Sequence, residues 1–181
     1  MPTPAAGSEL ISANTVGPEG TRDPSAVPHI VRVMTEPQGI PWERVERRLR
    51  TAETYWLATT RPDGRPHSMP VHGLWHDRGF WFATDRESVK GRNLARNPGA
   101  VVHLESAGDV VIVEGRAAAV EDPAIAGAVT PALAAKYGVG EEELALGRSS
   151  DGGALYLLRP RVVHAWLEGA FPQTRARWRL D

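Results

Sequence analysis

Cysteine is absent from this chain of 181 residues. The protein can therefore form no disulfide, no thiolate nucleophile and no cysteine-ligated metal site. Lysine is scarce as well, because the 21 basic residues include only Lys90 and Lys136. An excess of one charge is also missing, since the formal net charge is −1 and the pI is about 6.6. The sequence thus predicts neither a nucleic-acid partner nor binding to a membrane surface.

Long hydrophobic runs are missing too. The longest apolar runs have the length of a strand, whereas a membrane-spanning helix needs about 20 apolar residues. The first residues also lack a basic start followed by an apolar stretch, so they do not resemble a secretory signal. We therefore expect a cytoplasmic protein.

Common catalytic motifs are likewise not found. The sequence contains no Gly-x-Ser-x-Gly elbow, no glycine fingerprint of a Rossmann domain and no HExxH zinc motif. His72 and His76 are four residues apart, but on a strand they would stand about 13 Å from each other, too far for one ion. We therefore predict neither nucleophilic hydrolysis nor a protein metal site.

The residues that are present divide the chain into an arm and one domain. Residues 1–38 are rich in Pro, Gly, Ser, Ala and Thr without sustained periodicity, which is typical of a flexible N-terminal arm. Residues 39–181 have a length that suits a single domain. That domain begins with an amphipathic helix, because Pro41 suits its start and Val45 and Leu49 recur at helical spacing.

From Tyr55 onward the hydrophobic period changes to two, which indicates strands. The predicted strands are residues 55–60, 66–76, 79–84, 99–105, 110–120, 154–160 and 161–169. Asp122 and Pro123 look like the cap and first position of a helix that runs to about Lys136. Six to eight strands in hairpin order, with a few flanking helices, predict a mainly β protein with an antiparallel, Greek-key-like barrel.

A short helix after the predicted strand 79–84 is the first candidate binding feature. Ser88 or Asp85 can cap this helix, whose unpaired N–H groups favour an anion. Lys90 adds a full positive charge there, and Arg92 and Asn93 add planar donors. An ordinary capped surface helix with solvated basic residues remains the alternative.

The segment RPHSMPV, residues 65–71, is the second candidate. Proline removes a donor from a strand, so Pro66 and Pro70 mark an edge whose backbone can face a ligand ring. By alternation, one face carries His67, Met69 and Val71, and the other carries Ser68 and Pro70. The alternative is a strand at the rim of the barrel with no ligand.

Three segments carry a family resemblance: WLATTRPDGRPHSMPV, FWFATDRESVKGRNLARNP and VVIVEGRAAAVED. They resemble the pyridoxamine 5'-phosphate oxidase-like split β-barrel superfamily, and within it the branch of oxidoreductases that use FMN or the deazaflavin coenzyme F-420. The resemblance implies a homodimer with two cofactors in grooves between the subunits. It also implies that His67 to Val71 line the ring system, while the start of the short helix holds the phosphate.

The resemblance thus gives a set of candidate cofactor-binding residues. They are His67, Ser68, Met69, Pro70, Val71, Ala83, Thr84, Ser88, Lys90, Asn93 and, in the C-terminal tail, Trp178. No catalytic side chain is assigned, because the cofactor carries the hydride and the protein orients it.

The resemblance predicts an oxidoreductase that transfers a hydride between coenzyme F-420 or FMN and a small organic substrate. Vitamin B6 oxidation is not expected, because the paired basic residues of the C-terminal substrate motif are not recognisable here. A split-barrel protein that binds a cofactor or haem without turnover is the alternative, since six histidines offer axial ligands.

Overall fold

The computed structural model describes residues 39–140 and 152–180. The predicted arm, residues 1–38, lies outside the described residues, as do residues 141–151. In chain order the described elements are α1 (Trp42–Thr51), β1 (Tyr55–Thr60), β2 (Pro66–Val71), β3 (Leu74–His76), β4 (Gly79–Asp85), α2 (Val89–Arg96), β5 (Gly99–His103), β6 (Asp109–Ala119), α3 (Pro123–Tyr137), β7 (Gly153–Leu167), a 3₁₀ turn (Glu168–Ala170) and β8 (Ala176–Arg179).

All the strands form one antiparallel sheet. Its strand order is β2-β1-β5-β6-β7-β4-β3. Strand β8 is not part of this order and pairs with β7. The sheet curls into a split β-barrel flanked by the three described helices, so the predicted fold class is confirmed. Among the described residues, no helix combines the length and apolar character needed to cross a bilayer.

The predicted strand 66–76 is wrong in one respect, because the chain divides it into β2 and β3 at opposite ends of the strand order. The division falls at Gly73, whose carbonyl accepts hydrogen bonds from Lys136 Nζ at 2.8 Å and Tyr137 Oη at 2.9 Å. A Cβ atom at Gly73 would lie 2.2 Å from Phe80 Cζ. The chain therefore turns where only glycine fits, and α3 supplies the hydrogen bonds that a continuous ladder would have made.

The two strands predicted at 154–160 and 161–169 are also wrong, since β7 is continuous. Its register against β6 shifts between Glu114 and Gly115, and Gly115 then faces Pro160. A bulge of this kind accommodates a residue that cannot donate to the ladder, so proline does not end the strand.

The inner face of the sheet and α1 form the main hydrophobic core. Val45 and Leu49 are fully buried on one side of α1, as their helical spacing predicted. Along β1, Tyr55, Leu57 and Thr59 point inward in alternation. A second cluster packs α3 against the outside of β4 and β7, and consists of Trp81, Val129, Leu133 and Leu155.

Candidate functional site

The start of α2 is held tightly against the end of β4. Ser88 is the N-cap, and its Oγ accepts a hydrogen bond from Gly91 N at 3.1 Å. Thr84 is buried, and its Oγ1 lies 3.2 Å from the same oxygen. A Cβ atom at Gly91 would lie 2.4 Å from the carbonyl oxygen of Asp85. The glycine thus allows the first turn of α2 to approach the strand end closely.

A chain of polar contacts joins α2 to the first hairpin. Asn93 is only 2% exposed, and its Nδ2 donates to Thr59 Oγ1 at 3.0 Å. Thr59 Oγ1 in turn lies 3.4 Å from His67 Nδ1 on β2. The amide nitrogen of Asn93 therefore contacts the barrel and fixes the position of α2 relative to β1 and β2.

Two cationic side chains, Arg61 and Lys90, lie near His67 beside this chain of contacts. Burial lowers the pKa of His67, and the positive charges of Arg61 and Lys90 lower it further. Within the part of the chain that the structure describes, none of these three side chains forms a salt bridge. The carboxylate of Asp63, which feels the charge of Arg61, is instead hydrogen-bonded to Arg65 at 2.7 and 2.9 Å. The site thus holds positive charge that the protein's own acids do not neutralise.

Sequence reasoning missed Arg61 and Thr59. Thr59 points inward from β1, and Arg61 directly follows that strand, at the mouth of the Asp-Gly turn. The strand alternation shows that Thr59 lies on the buried face, where a polar side chain needs a partner. That signal could have identified Thr59, whereas the proximity of Arg61 to Lys90 depends on the packing of α2.

Strand β2 forms an open wall next to these cations. It pairs only with β1 and so lies at the edge of the sheet, as Pro66 and Pro70 predicted. Ser68, Met69 and Pro70 are exposed, with Met69 at 45%, whereas Val71 is buried at 8%. The exposed residues leave a flat surface whose backbone groups are available to a ligand.

The structure brings most of the predicted residues together and separates one. Thr84, near the end of β4, contacts Ser88 at the start of α2. Asn93 and Thr59 connect this helix to His67 on β2. Ala83 precedes Thr84 on β4 and is partly buried.

Trp178 does not belong to this group in its own protomer. It is 1% exposed, and its ring packs edge-on against Trp42 at a centroid distance of 5.4 Å. Because β8 alternates, Trp178 faces the core while Arg177 and Arg179 face outward. The indole is thus enclosed by the core of its own protomer, and its contact with a cofactor stays a prediction.

Comparison with known proteins assigns the chain to a family. A family model described as pyridoxamine 5'-phosphate oxidase matches residues 41–167. A pyridoxine/pyridoxamine 5'-phosphate oxidase of Pseudomonas paraeruginosa is 50% identical over 48 residues, which are 25% of this chain and 22% of that protein. The enzyme of the same name from Azorhizobium caulinodans is 46% identical over 70 residues, which are 36% and 32% of the two chains. These matches span less than a third of the curated relatives' length.

Solved structures share the fold over more of the chain. The conserved hypothetical protein Rv2991 from Mycobacterium tuberculosis superposes with a TM-score of 0.62 at 24% identity, covering 71% of this chain and 85% of that one. PhzG from Burkholderia lata 383, in complex with tetrahydrophenazine-1-carboxylic acid, gives 0.52 at 26% identity and covers 77% and 83%. HutZ, a heme storage protein from Vibrio cholerae, gives 0.55 at 18% identity and covers 66% and 87%.

Proposed function

The chain belongs to the pyridoxamine 5'-phosphate oxidase family, and from this premise we propose that it is an oxidoreductase that uses a bound FMN or coenzyme F-420. When bound, such a cofactor supplies a hydride to, or accepts one from, a small organic substrate. The observation that carries the proposal is the pair of cations, Arg61 and Lys90, near His67 and the start of α2. A phosphate group would supply the negative charge that neutralises these cations.

The start of α2 would hold the phosphate end of the cofactor. Its first N–H groups and partial positive charge favour an anion, and Lys90 and Arg61 add charge-assisted hydrogen bonds. Ser88 and Thr84 fix the orientation of this turn through their 3.2 Å contact. Asn93 stabilises the arrangement through Thr59, as a positioning residue behind the phosphate site.

The edge strand β2 would hold the ring system. Ser68 and Pro70 leave backbone groups facing away from the sheet, where they can hydrogen-bond the polar edge of a planar ring. Met69 is 45% exposed and offers a polarisable apolar contact for the ring face. These residues orient the ring and exclude water from one of its faces.

A second copy of the chain would cover the other side of the ring in a homodimer. The outer face of the sheet supports this part of the proposal, because Trp56 is 38% exposed and stacks on its cross-strand neighbour His103 at 6.4 Å. An exposed aromatic residue on a flat strand face is typical of the centre of a protein interface.

A cofactor titration tests the proposal, with Lys90→Ala as the main variant. Loss of a charge-assisted phosphate contact is expected to weaken cofactor binding by about 1.5–3 kcal/mol, roughly 10- to 150-fold. FMN and coenzyme F-420 are titrated separately by fluorescence, and the tighter ligand identifies the cofactor. Arg96→Ala is the matched control, because Arg96 is exposed in the last turn of the same helix and should leave the affinity unchanged.

Two results would count against the proposal. Equal affinity in the Lys90→Ala variant would remove Lys90 from the site. Failure of the wild-type protein to bind either cofactor would remove the proposed function. A protein that binds the cofactor tightly but catalyses no hydride transfer to any substrate of a broad panel would match the non-catalytic alternative.

An absorption spectrum distinguishes haem binding from the proposed function. The described histidines all have protein contacts: His67 with Thr59, His72 with Tyr137, His76 with Asp77, His103 with the Leu104 carbonyl and His164 with Glu114. An axial ligand would have to give up such a contact. A Soret band after haem addition that one His→Ala change abolishes would support the haem-binding alternative.

A further inference from the structure

A groove runs along the outer face of β6 and β7, beyond the part that α3 covers. It consists of two adjoining cavities of about 680 and 730 Å³. The two share five lining residues, which are Ala118, Leu157, Arg159, Pro160 and Leu180. The groove is therefore continuous from the first turn of α3 to the end of β8.

Four arginines line the larger cavity, and no acidic residue does: they are Arg116, Arg159, Arg161 and Arg179. Arg116 and Arg159 are direct cross-strand partners on β6 and β7. Like charges placed opposite each other in this way destabilise a sheet. In residues 39–140 and 152–180, no salt bridge involves any of the four. This concentration of positive charge stands out in a chain whose net charge is −1.

The remaining wall of the larger cavity is apolar, whereas the smaller cavity is also lined by Asp77, Glu121 and Asp122. Ala118, Leu157, Val162 and Leu180 supply most of the apolar wall, with Pro160 between the arginines. A ligand that fits both features has an apolar body and at least two negative groups. Guanidinium groups favour carboxylates and phosphates, because their planar donors bind both oxygens at once.

We propose that the larger cavity of this groove is a binding site for a small organic dianion, whose apolar body contacts Leu157 and Leu180 and whose carboxylate or phosphate groups pair with Arg116, Arg159 and Arg179. Binding relieves the repulsion between Arg116 and Arg159, so the ligand stabilises the folded protein.

The groove and the proposed phosphate site lie at opposite ends of α2. Pro98, two residues after α2, lines the groove, and its carbonyl accepts a hydrogen bond from Ala117 N at 2.8 Å. The helix has 8 residues, which span about 12 Å. The two sites are therefore separate, so dianion binding can be tested independently of which cofactor the protein uses.

The test compares two probes of one shape on the full-length protein. Naphthalene-2,6-dicarboxylate carries two negative charges, and naphthalene-2,6-dicarboxamide is its neutral counterpart. Isothermal titration is expected to show one saturable site per chain for the dicarboxylate and at least about tenfold weaker binding for the dicarboxamide. The dicarboxylate should also raise the melting temperature, and its affinity should fall as salt is added.

Charge-removing variants locate the site. Arg159→Gln is expected to weaken dicarboxylate binding about tenfold, and the pair Arg159→Gln and Arg179→Gln should weaken it further. Arg159→Lys keeps the charge and should retain more of the affinity than Arg159→Gln. Arg47→Gln removes an exposed arginine from α1 and is the matched control, expected to bind like the wild type.

Several outcomes would overturn the proposal. Equal binding of the two probes would show that the arginines do not recognise charge. Full affinity in the double variant, with unchanged circular dichroism, would place the dianion elsewhere. A dimer that dissociates in the double variant, together with no dicarboxylate binding to the wild type, would assign the groove to a contact between two copies of this chain.

Discussion

His67 reports on the charge beside the start of α2. Its pKa is lowered by burial and by the positive charges of Arg61 and Lys90. A bound phosphate offsets those charges, so we predict that the pKa of His67 rises when FMN or coenzyme F-420 binds. An NMR titration of the imidazole with and without the cofactor measures the change.

The Lys90→Ala variant provides the control for this prediction. Removal of one positive charge should raise the pKa of His67 in the free protein and reduce the further rise on binding. An imidazole that titrates at the same pH in free and saturated protein would show that the phosphate lies away from His67.

The hydrogen bonds of Lys136 lead to a second prediction at the residue scale, which concerns the free energy of unfolding. Its Nζ donates to Tyr55 Oη at 2.7 Å and to Gly73 O at 2.8 Å. We expect Lys136→Met to lower the free energy of unfolding at pH 7 by only about 1 kcal/mol. The loss is small because both acceptors keep another partner: Tyr55 Oη still bonds Leu49 O, and Gly73 O still bonds Tyr137. Urea denaturation measures the difference.

The shifted pKa of the same lysine predicts that the free energy of unfolding depends on pH. Burial lowers the pKa of Lys136 from its ordinary value of 10.5 to about 8. Between these pH values the unfolded chain binds more protons than the folded one, so this group makes the free energy of unfolding rise with pH. The difference between the wild type and Lys136→Met should therefore increase from pH 8 to pH 10. A difference that stays constant over that range would show that Lys136 titrates normally in the folded protein.

At the scale of the elements, the break between β2 and β3 depends on Gly73. A Cβ atom there would lie 2.2 Å from Phe80 Cζ and 2.9 Å from the carbonyl oxygen of Trp81. We predict that Gly73→Ala lowers the free energy of unfolding by about 1–3 kcal/mol, since a buried ring and a strand backbone would have to move. Thermal and urea denaturation measure the change.

Gly127→Ala is the matched control for this substitution. Gly127 lies in the exposed part of α3, and nothing comes within 4 Å of a Cβ atom there. Alanine should stabilise the helix by roughly 0.5–1 kcal/mol at that position. Equal effects of the two substitutions would show that Gly73 is not under steric constraint.

The elements that the sequence predicted well are those decided by local patterns. The helical spacing of Val45 and Leu49 predicts α1, and the cap at Asp122 predicts the start of α3, where its side chain accepts a hydrogen bond from Ala124 N at 2.8 Å. The continuity of β7 could not be predicted, because it depends on the bulge that places Gly115 opposite Pro160 across two distant segments.

In the candidate site too, some features follow from local sequence patterns and others depend on contacts between segments that are distant in sequence. Ser88 and Lys90 are predictable from the signals of a helix start, and the structure places them where the helix begins. The buried contact between Asn93 and Thr59 depends on how α2 packs on β1, 34 residues away in sequence. The burial of Trp178 likewise depends on a distant contact, because its ring packs against Trp42 on α1.

At the scale of the whole molecule, one face of the curled sheet forms the core and the other is only partly covered. On that outer face the register joins Trp56 on β1, His103 on β5 and Ile112 on β6 in one cross-strand row. Trp56 is 38% exposed. A row of this kind next to the edge strand β2 is suited to contact a second copy of the chain, which would also cover the cofactor ring.

Substitution of Trp56 tests this assembly. If the row lies at the centre of a homodimer interface, Trp56→Ser should weaken dimerisation by about 2 kcal/mol or more, roughly 30-fold in the dissociation constant. Sedimentation equilibrium over a range of protein concentrations measures that change. Ile125→Ser, which removes a 45% exposed apolar side chain from α3, serves as the control. Because the proposed cofactor groove is completed by the partner, cofactor affinity should fall with dilution along with the dimer fraction. A Trp56→Ser protein that remains dimeric and binds the cofactor normally would place the subunit interface on another face of the barrel.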